Sequence, residues 1–468
     1  MSSSKIKTII IFLYIFISLN STIHAQLKDN NNQSDYLVIT PAEFVEPLKP
    51  FTNWRQSKKL DVKVVELQQI YSEFPDSTKQ SSIRNFISYS LTYWNKPPRF
   101  ILLVGDTKLL PSNRVHSSLS NPPLSEDSVS IDDLYSVNLY EDDVKPDVCL
   151  GRFPVANEKE LIAITSKTIY FEDSLQFDDY ETKFTFLADR TDSVGFERAA
   201  SSFIDYILPT NYSSNTIFSS QDSSIETCRN RLIDSFNEGT LFFSYYGHGA
   251  PYKWSTYNLF TLEDIDSLQE NKFPFIYTAT ACSQSFDLPN DSSIVRKLIV
   301  SPNKGSVASV ASTGLSYLSF SASFLDDLYN NIFSNSNLTI GEAVYQTKLA
   351  RHRDPEDAMQ RRYTLLGDPA LKIPVGIISQ IIANTNTIKT YILKQNYPNP
   401  FNPSTSIAFT IPETGMVQLN IYNVLGEVGS ELVNETLEAG SHQYQFNGSN
   451  LSSGVYFYSI SVNGFTQV

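Results

Sequence analysis

The sequence predicts an α/β protein: doubly wound parallel sheets in two subdomains, followed by a small all-β sandwich. Three observations carry this. Short continuous apolar runs alternate with segments of helical spacing through residues 36–375, the pattern of buried parallel strands joined by crossover helices. From about Asn396 the pattern becomes short alternating runs punctuated by Gly, Pro, Asn and Ser, as antiparallel strands and turns require. A chain of 468 residues with 41% apolar content can bury a large core and divide into domains.

The first subdomain is expected over 36–175. "YLVIT" and "VKVVEL" read as strands. In "SSIRNFISYSLTYW", Ile83, Phe86, Ile87, Leu91 and Trp94 recur at helical spacing. "RFILLVGD" is a buried strand ending at Gly105 and Asp106, and "DVCLGRFP" is another. Residues 106–147 are rich in Pro, Ser and Asp and read as surface loop. "NEKELIAITSKTIYFED" closes the unit as a helix. The second subdomain is expected over 182–375. Its strands are "KFTFLADR", "TLFFSYY", "FPFIYTATA" and "GSVASVASTG"; two amphipathic helices lie between the first two, the second stopped by Gly239. Residues 376–394 read as a linker and 395–468 as the sandwich.

The first 25 residues stand apart. Lys5 and Lys7 precede an apolar stretch from Ile9 to Leu19, and Ala25 offers a small residue at a cut before Gln26. This is the pattern of a secretory signal peptide. Losing the two lysines takes the formal charge from −14 to −16. Such an acidic chain argues against nucleic acid as a partner. Three cysteines, Cys149, Cys228 and Cys282, are too few and odd in number for a disulfide framework, which keeps a reactive thiol open.

The chemistry centres on two strand ends. "GTLFFSYYGHGAPYKW" stops an apolar run at His248, between Gly247 and Gly249. "FPFIYTATACSQSF" stops another at Cys282. In an open parallel sheet ligands bind beyond the carboxyl ends of the strands. One crossover helix, "LEDIDSLQEN", fits between the two runs, so the strands are expected to be neighbours. A thiolate activated by an imidazole is a nucleophile toward a peptide carbonyl, and the imidazolium then protonates the departing amine. The N–H groups of Gly249 and Cys282 suit the developing oxyanion. Cys149 and Cys228 read as small buried hydrophobes. The scattered His24, His116, His352 and His442 form no zinc-type ligand set, and no cofactor is required. The acid-rich loops "IDDLY" and "YEDDVKPD" offer oxygen ligands for a structural Ca²⁺, with solvated loops as the simpler reading.

"YYGHGAPYKW" and "TATACSQSFD" resemble the His-Gly and Ala-Cys motifs of the gingipain-type cysteine peptidases, the caspase-like family C25. "YLVITPAEF", "FILLVGD", "IDDLYSVN", "PDVCLGRFPV" and "YTLLGDPALKI" follow in the family's order, over about residues 36–375. The resemblance implies a caspase-like fold and a cysteine endopeptidase acting on protein or peptide substrates. It implies that His248 is the catalytic imidazole and Cys282 the nucleophile, that Gly249 and Cys282 form the oxyanion hole, and that Asp147 is the catalytic carboxylate. Trp254 matches a family tryptophan and would wall the substrate pocket. Ser285 stands where the family commonly has Gly, and Arg296 where an acid is usual; both are expected beside the cleft.

The tail, with "QNYPNPFNPSTSIAFTIPETGMVQLNIYNVLGE" and "LSSGVYFYSISVNG", resembles the type A C-terminal sorting domain of the type IX secretion system, an immunoglobulin-like sandwich. That implies export through the type IX machinery to the cell surface or medium, with lipopolysaccharide attachment as one fate. Two alternatives stay open at this point: a sortase-like transpeptidase of the same family, and a catalytically degenerate surface-binding protein.

Overall fold

The computed structural model describes residues 26–116, 128–132, 135–136, 145–173, 182–190, 195–269, 275–282, 286, 293–314, 316–335, 337–351, 357–374, 391–393, 396, 399, 401–438, 440–449 and 451–468. The expected signal peptide and most of the expected linker lie outside these residues. The chain divides into two compact units, Met1–Gly376 and Ile377–Val468.

The first unit runs β1 (Tyr36–Thr40), α1 (Val45–Ser57), β2 (Val62–Glu66), α2 (Leu67–Glu73), α3 (Lys79–Tyr93), β3 (Phe100–Val104), β4 (Asn113–His116), β5 (Ser128–Ile131), β6 (Cys149–Phe153) and α4 (Glu158–Asp173). It continues with β7 (Lys183–Ala188), α5 (Gly195–Tyr206), β8 (Ser213–Phe218), α6 (Ile225–Glu238), β9 (Phe242–Tyr246), β10 (Gly249–Ala250), β11 (Lys253–Trp254), β12 (Phe260–Thr261) and α7 (Leu262–Ser267). It ends with β13 (Phe275–Cys282), α8 (Ile294–Val300), β14 (Ser306–Ser312), α9 (Leu318–Ser334), α10 (Ile340–Arg351) and β15 (Tyr363–Leu366).

One sheet of ten strands, ordered β2-β1-β3-β6-β15-β14-β13-β9-β7-β8, spans the unit. The two expected sheets are therefore continuous. Each half is parallel within itself, but β14 and β15 pair antiparallel, with Ser309 opposite Leu366 and Ser312 opposite Tyr363. The halves consequently point in opposite directions. The strands that begin in the first half share a sheet edge with the strands that end in the second. The sequence reading left Tyr363–Leu366 unassigned: a run of four residues has no period by which to recognise a strand. Apolar runs buried on both faces, such as Phe100–Val104 and Phe242–Tyr246, explain why the strands read clearly.

Buried charges clamp β15 to the first half. Asp368 is fully buried and takes the Arg55 guanidinium (Nε 2.7 Å) and the Tyr36 hydroxyl (2.8 Å), while Arg55 also reaches Glu172 (2.9 Å). Arg152 of β6 holds Asp132 through two bonds (2.5 and 2.9 Å), and Ser112 donates to the same carboxylate (2.7 Å). Asp132, the first acid of "IDDLY", is thus a buried counter-ion and not a solvated loop residue. Asp133, Glu141, Asp142 and Asp143 lie outside the described residues. Part of the expected surface loop is also ordered, since β4 and β5 pair antiparallel. At Gly151 a Cβ would lie 2.4 Å from the Gly367 carbonyl oxygen, so only glycine lets β6 and the turn after β15 meet.

The other seam is held by Lys167 of α4, whose buried ammonium donates to the carbonyls of Leu298, Lys304 and Ser306, each at 3.0 Å. These close the end of α8 and the turn into β14.

The second unit contains β16 (Ile392–Leu393), β17 (Ser404–Ile411), β18 (Gly415–Tyr422), β19 (Val428–Leu437), β20 (Gly440–Asn447), β21 (Phe457–Val462) and β22 (Phe465–Gln467). They form two antiparallel sheets, β16-β17-β20 and β19-β18-β21-β22. Alternate residues of β17 and β18, among them Ile407, Phe409, Val417, Leu419 and Ile421, make its core.

Burial pushes Lys167 down to about 7, whereas an unfolded lysine titrates near about 10.4. Between those values the unfolded chain holds the extra proton, so this group makes stability rise with pH across that window. Lys167→Met is expected to flatten that rise in melting temperature. By leaving three carbonyls unpaired it also removes about 2–4 kcal/mol of stability, measurable by denaturant titration at several pH values.

Candidate functional site

β9 and β13 are direct neighbours in the parallel half, with Phe243 opposite Tyr277 and Tyr245 opposite Ala279. A hydrogen bond between the Ser244 and Thr278 hydroxyls ties them together. The structure therefore brings the ends of the two strands, where His248 and Cys282 stand, side by side at one sheet edge. The Cys282 backbone is part of β13; its side chain, and all of Ser285, lie outside the description.

His248 is exposed, and its backbone is fixed from two sides. The Tyr245 hydroxyl (2.5 Å) and the Ser255 N–H (2.8 Å) both donate to its carbonyl oxygen. The Tyr245 side chain folds beneath Gly247 to make its bond, and a Cβ at Gly247 would stand 2.3–2.6 Å from the Tyr245 ring and hydroxyl. Gly247 is therefore required by close approach and not by a left-handed backbone, a refinement of the sequence argument. The imidazole meets the Phe196 ring of α5 edge to face, centroids 5.0 Å apart at 88°, which limits its rotation.

After His248 the chain makes a small meander, β10-β11-β12. Gly249 pairs with Trp254, and the Ser255-to-His248 bond flanks that pair. Gly249 and Trp254 thus form a non-hydrogen-bonded rung, in which each residue's own N–H points away from the partner strand. The Gly249 N–H is left facing outward from the meander, and β10 lies against β13. The hairpin tip is tied down by the Ile294 N–H, which donates to the Pro251 carbonyl (2.8 Å).

Trp254 corrects the expectation. It has no exposed surface and stacks on Phe243 (5.4 Å), Tyr245 (5.1 Å), Tyr277 (5.4 Å) and Phe260 (4.7 Å). It braces the meander from inside and presents no face to a substrate. Arg296 is corrected in the same way. Only 3% exposed, it donates to the Pro154 carbonyl (3.0 Å) and pairs with Glu160 (2.7 Å). It joins α8 to the start of α4 and does not line a cleft.

Asp147, half-buried at the start of β6, shares the sheet edge with His248 because of the polarity reversal. Four strand steps separate β6 from β9, roughly 19 Å at ordinary spacing. Its charge acts instead on Arg84 and Tyr345, and its N–H donates to the Ser136 carbonyl (2.5 Å). No hydrogen bond or ion pair joins it to the His248 ring. Cys149 and Cys228 are buried, and burial pushes each thiol up to about 12, so neither is a nucleophile near neutral pH.

Sequence reasoning overlooked Tyr245, Ser255 and Phe196. An aromatic in an apolar strand carries no mark that its hydroxyl will hold a carbonyl, and a ring contact between α5 and a loop leaves no local pattern.

Residues 29–374 match the model of peptidase family C25, and residues 395–468 match that of the secretion system C-terminal sorting domain. Among curated proteins, the chain is similar to Gingipain R2 of Porphyromonas gingivalis, 23% identical over 380 residues, covering 78% of this chain and 49% of that protein. It is also similar to Lys-gingipain of Porphyromonas gingivalis, 23% identical over 332 residues, covering 64% of this chain and 18% of that protein. The chain thus spans about half, or less, of the length of these relatives. Among solved structures, that of the Arg-specific cysteine proteinase gingipain R has a TM-score of 0.60 at 17% identity, covering 94% of this chain and 97% of that one. The complex of Porphyromonas gingivalis RgpB pro- and mature domains gives 0.59 at 16%, covering 92% and 98%. At such identities the likeness establishes the fold: a mixed sheet with helices, followed by an all-β region. Most of the chain falls within the first family model, and this protein belongs to peptidase family C25, with a secretion system sorting domain at its C-terminal end.

Proposed function

We propose that the protein is a secreted or cell-surface cysteine endopeptidase that hydrolyses peptide bonds through a thioester acyl-enzyme. The carrying observation is that β9 and β13 are adjacent parallel strands, with His248 two residues past the end of β9 and Cys282 at the end of β13. In this reading the Cys282 thiolate attacks the peptide carbonyl carbon. The carbonyl π electrons move to oxygen, where the Gly249 and Cys282 N–H groups receive the charge. Collapse breaks the C–N bond, His248 gives its proton to the departing amine, and water then opens the thioester with His248 as base. The reaction needs no cofactor. The outward Gly249 N–H supports its assignment, and the raised thiols of Cys149 and Cys228 leave Cys282 as the candidate nucleophile.

Asp147 enters as a distant charge. At roughly 19 Å, and with an effective dielectric near 20, a full charge is worth about 0.9 kcal/mol before screening, under fivefold in rate. The sorting domain supports export through a type IX machinery to the surface or medium, with cleavage of the leader before Gln26 and lipopolysaccharide attachment as further steps of that route.

A peptidyl acyloxymethyl ketone is expected to alkylate Cys282 in the wild type and to spare His248→Ala, as mass spectrometry of the tryptic peptides would read. Equal labelling of both, with no cleavage of a peptide library, ends the peptidase reading in favour of a binding module. Added amines appearing in the products would instead identify transpeptidation. Gly247→Ala drives a methyl into Tyr245 and is expected to lower kcat at least tenfold while the protein still folds by circular dichroism. Asp147→Asn is expected to change kcat/KM less than fivefold; a loss above a hundredfold would give Asp147 a direct place at the ring.

A further inference from the structure

The strand next to β9 on the side away from Cys282 is β7, and the residues just past its end face the catalytic loop. The Asp189 N–H donates to the Tyr246 carbonyl (2.8 Å), which sets Arg190 beside Gly247 and His248. The Arg190 N–H is held by the Ser219 hydroxyl (2.8 Å). Its guanidinium lies over the Tyr257 ring, 4.5 Å from the centroid. Tyr257 is 45% exposed, and its N–H donates to the hydroxyl of Ser255, the residue whose own N–H clasps His248.

Two features set this guanidinium apart. Arg55, Arg152, Arg229 and Arg296 each hold a carboxylate; Arg190 makes no ion pair with any described residue. The neighbouring Asp189 is buried, and its charge acts on Tyr245 and Cys228. The Tyr257 ring covers one side of the guanidinium, and among the described residues no carboxylate takes its N–H groups. A planar fork of this kind, half-exposed beside a reaction centre, suits a carboxylate.

We infer that Arg190 is a specificity-determining residue that binds a carboxylate on the leaving-group half of the substrate peptide. The inference rests on the peptidase reading above. His248 hands its proton to the departing amine, so the leaving half must lie on the His248 side of Cys282. The strand order β13-β9-β7 continues that line to Arg190. The carboxylate is either an Asp or Glu side chain or the terminus of a short peptide.

The test compares peptides with Glu or isosteric Gln at each position after the scissile bond, and with free or amidated C-termini. The enzymes are wild type, Arg190→Gln, Arg190→Lys and Arg190→Glu. Wild type is expected to favour one Glu position over Gln about tenfold in kcat/KM, through KM and not kcat. The ratio should fall to about one in Arg190→Gln, return in part in Arg190→Lys, and give way to a preference for Lys in Arg190→Glu. Preference for a free terminus with no preference for Glu would identify the terminal carboxylate as the source. Glu-to-Gln and free-to-amidated ratios that are both the same in wild type and Arg190→Gln overturn the inference. Calorimetric binding of the same peptides to Cys282→Ala, with and without Arg190→Gln, separates the two readings. A preference there for Glu or for a free terminus that depends on Arg190 upholds this site even without turnover, and the absence of both rejects the site whatever the labelling of Cys282 shows.

Discussion

The antiparallel rung between β14 and β15 is the constraint from which the rest follows. In an all-parallel doubly wound sheet every strand would end at one edge, and every loop there would be a strand-to-helix loop. Reversing the polarity at one rung mixes the two kinds. The ends of β9, β13 and β14 then share an edge with the starts of β6 and β15. This reversal alone brings Asp147, which precedes its strand, to the same rim as His248, which follows one. Two helices, α9 and α10, carry the chain from β14 round to β15, and buried side chains add to the hold. Asp368, two residues past β15, is gripped by Arg55 and Tyr36 of the first half. Buried ion pairs add little net stability over apolar residues of the same shape, but breaking one leaves an uncompensated charge. Their effect here is to make any other placement of β15 costly.

The loop that carries His248 shows how a short exposed segment acquires a defined shape. Loops are ordinarily mobile and their backbone groups solvated. This one stands on an aromatic stack, Phe243, Tyr245, Tyr277, Phe260 and Trp254, with no exposed area at any member. The stack fixes Tyr245, Tyr245 fixes the His248 carbonyl, and Gly247 is the vacancy through which that ring passes. The imidazole is then held by one edge contact with Phe196 and remains open to solvent. Rigid backbone with an accessible ring is what proton transfer at a docked peptide demands.

Much of this was legible in advance, and the reasons are specific. Strands buried on both faces are continuous apolar runs, so β3, β9 and β13 announced themselves. The Gly-His-Gly turn and the run ending at Cys282 could be placed at strand ends because period and length allow it. Trp254 misled, because a tryptophan near a reactive histidine reads the same whether its rings face a substrate or four other rings. Arg296 misled because an arginine out of family pattern gives no hint that Glu160, far away in sequence, will bury it. The polarity reversal was invisible: it depends on which strands neighbour β15, and strand order is not written in local periodicity.

Net charge by itself speaks against a carboxylate ligand near Arg190, since the chain carries −14. The scale of screening settles which term governs. At physiological ionic strength charges beyond about 8 Å are largely damped, so the diffuse acidic surface acts mainly on how fast a peptide arrives. Once a carboxylate stands within hydrogen-bonding distance, the nearest charge decides, and there it meets the Arg190 guanidinium over the Tyr257 ring. An acidic protein can therefore keep a local site for acidic residues. Its electrostatics would then slow the approach of such peptides while favouring their retention, which places the discrimination in dissociation rather than encounter.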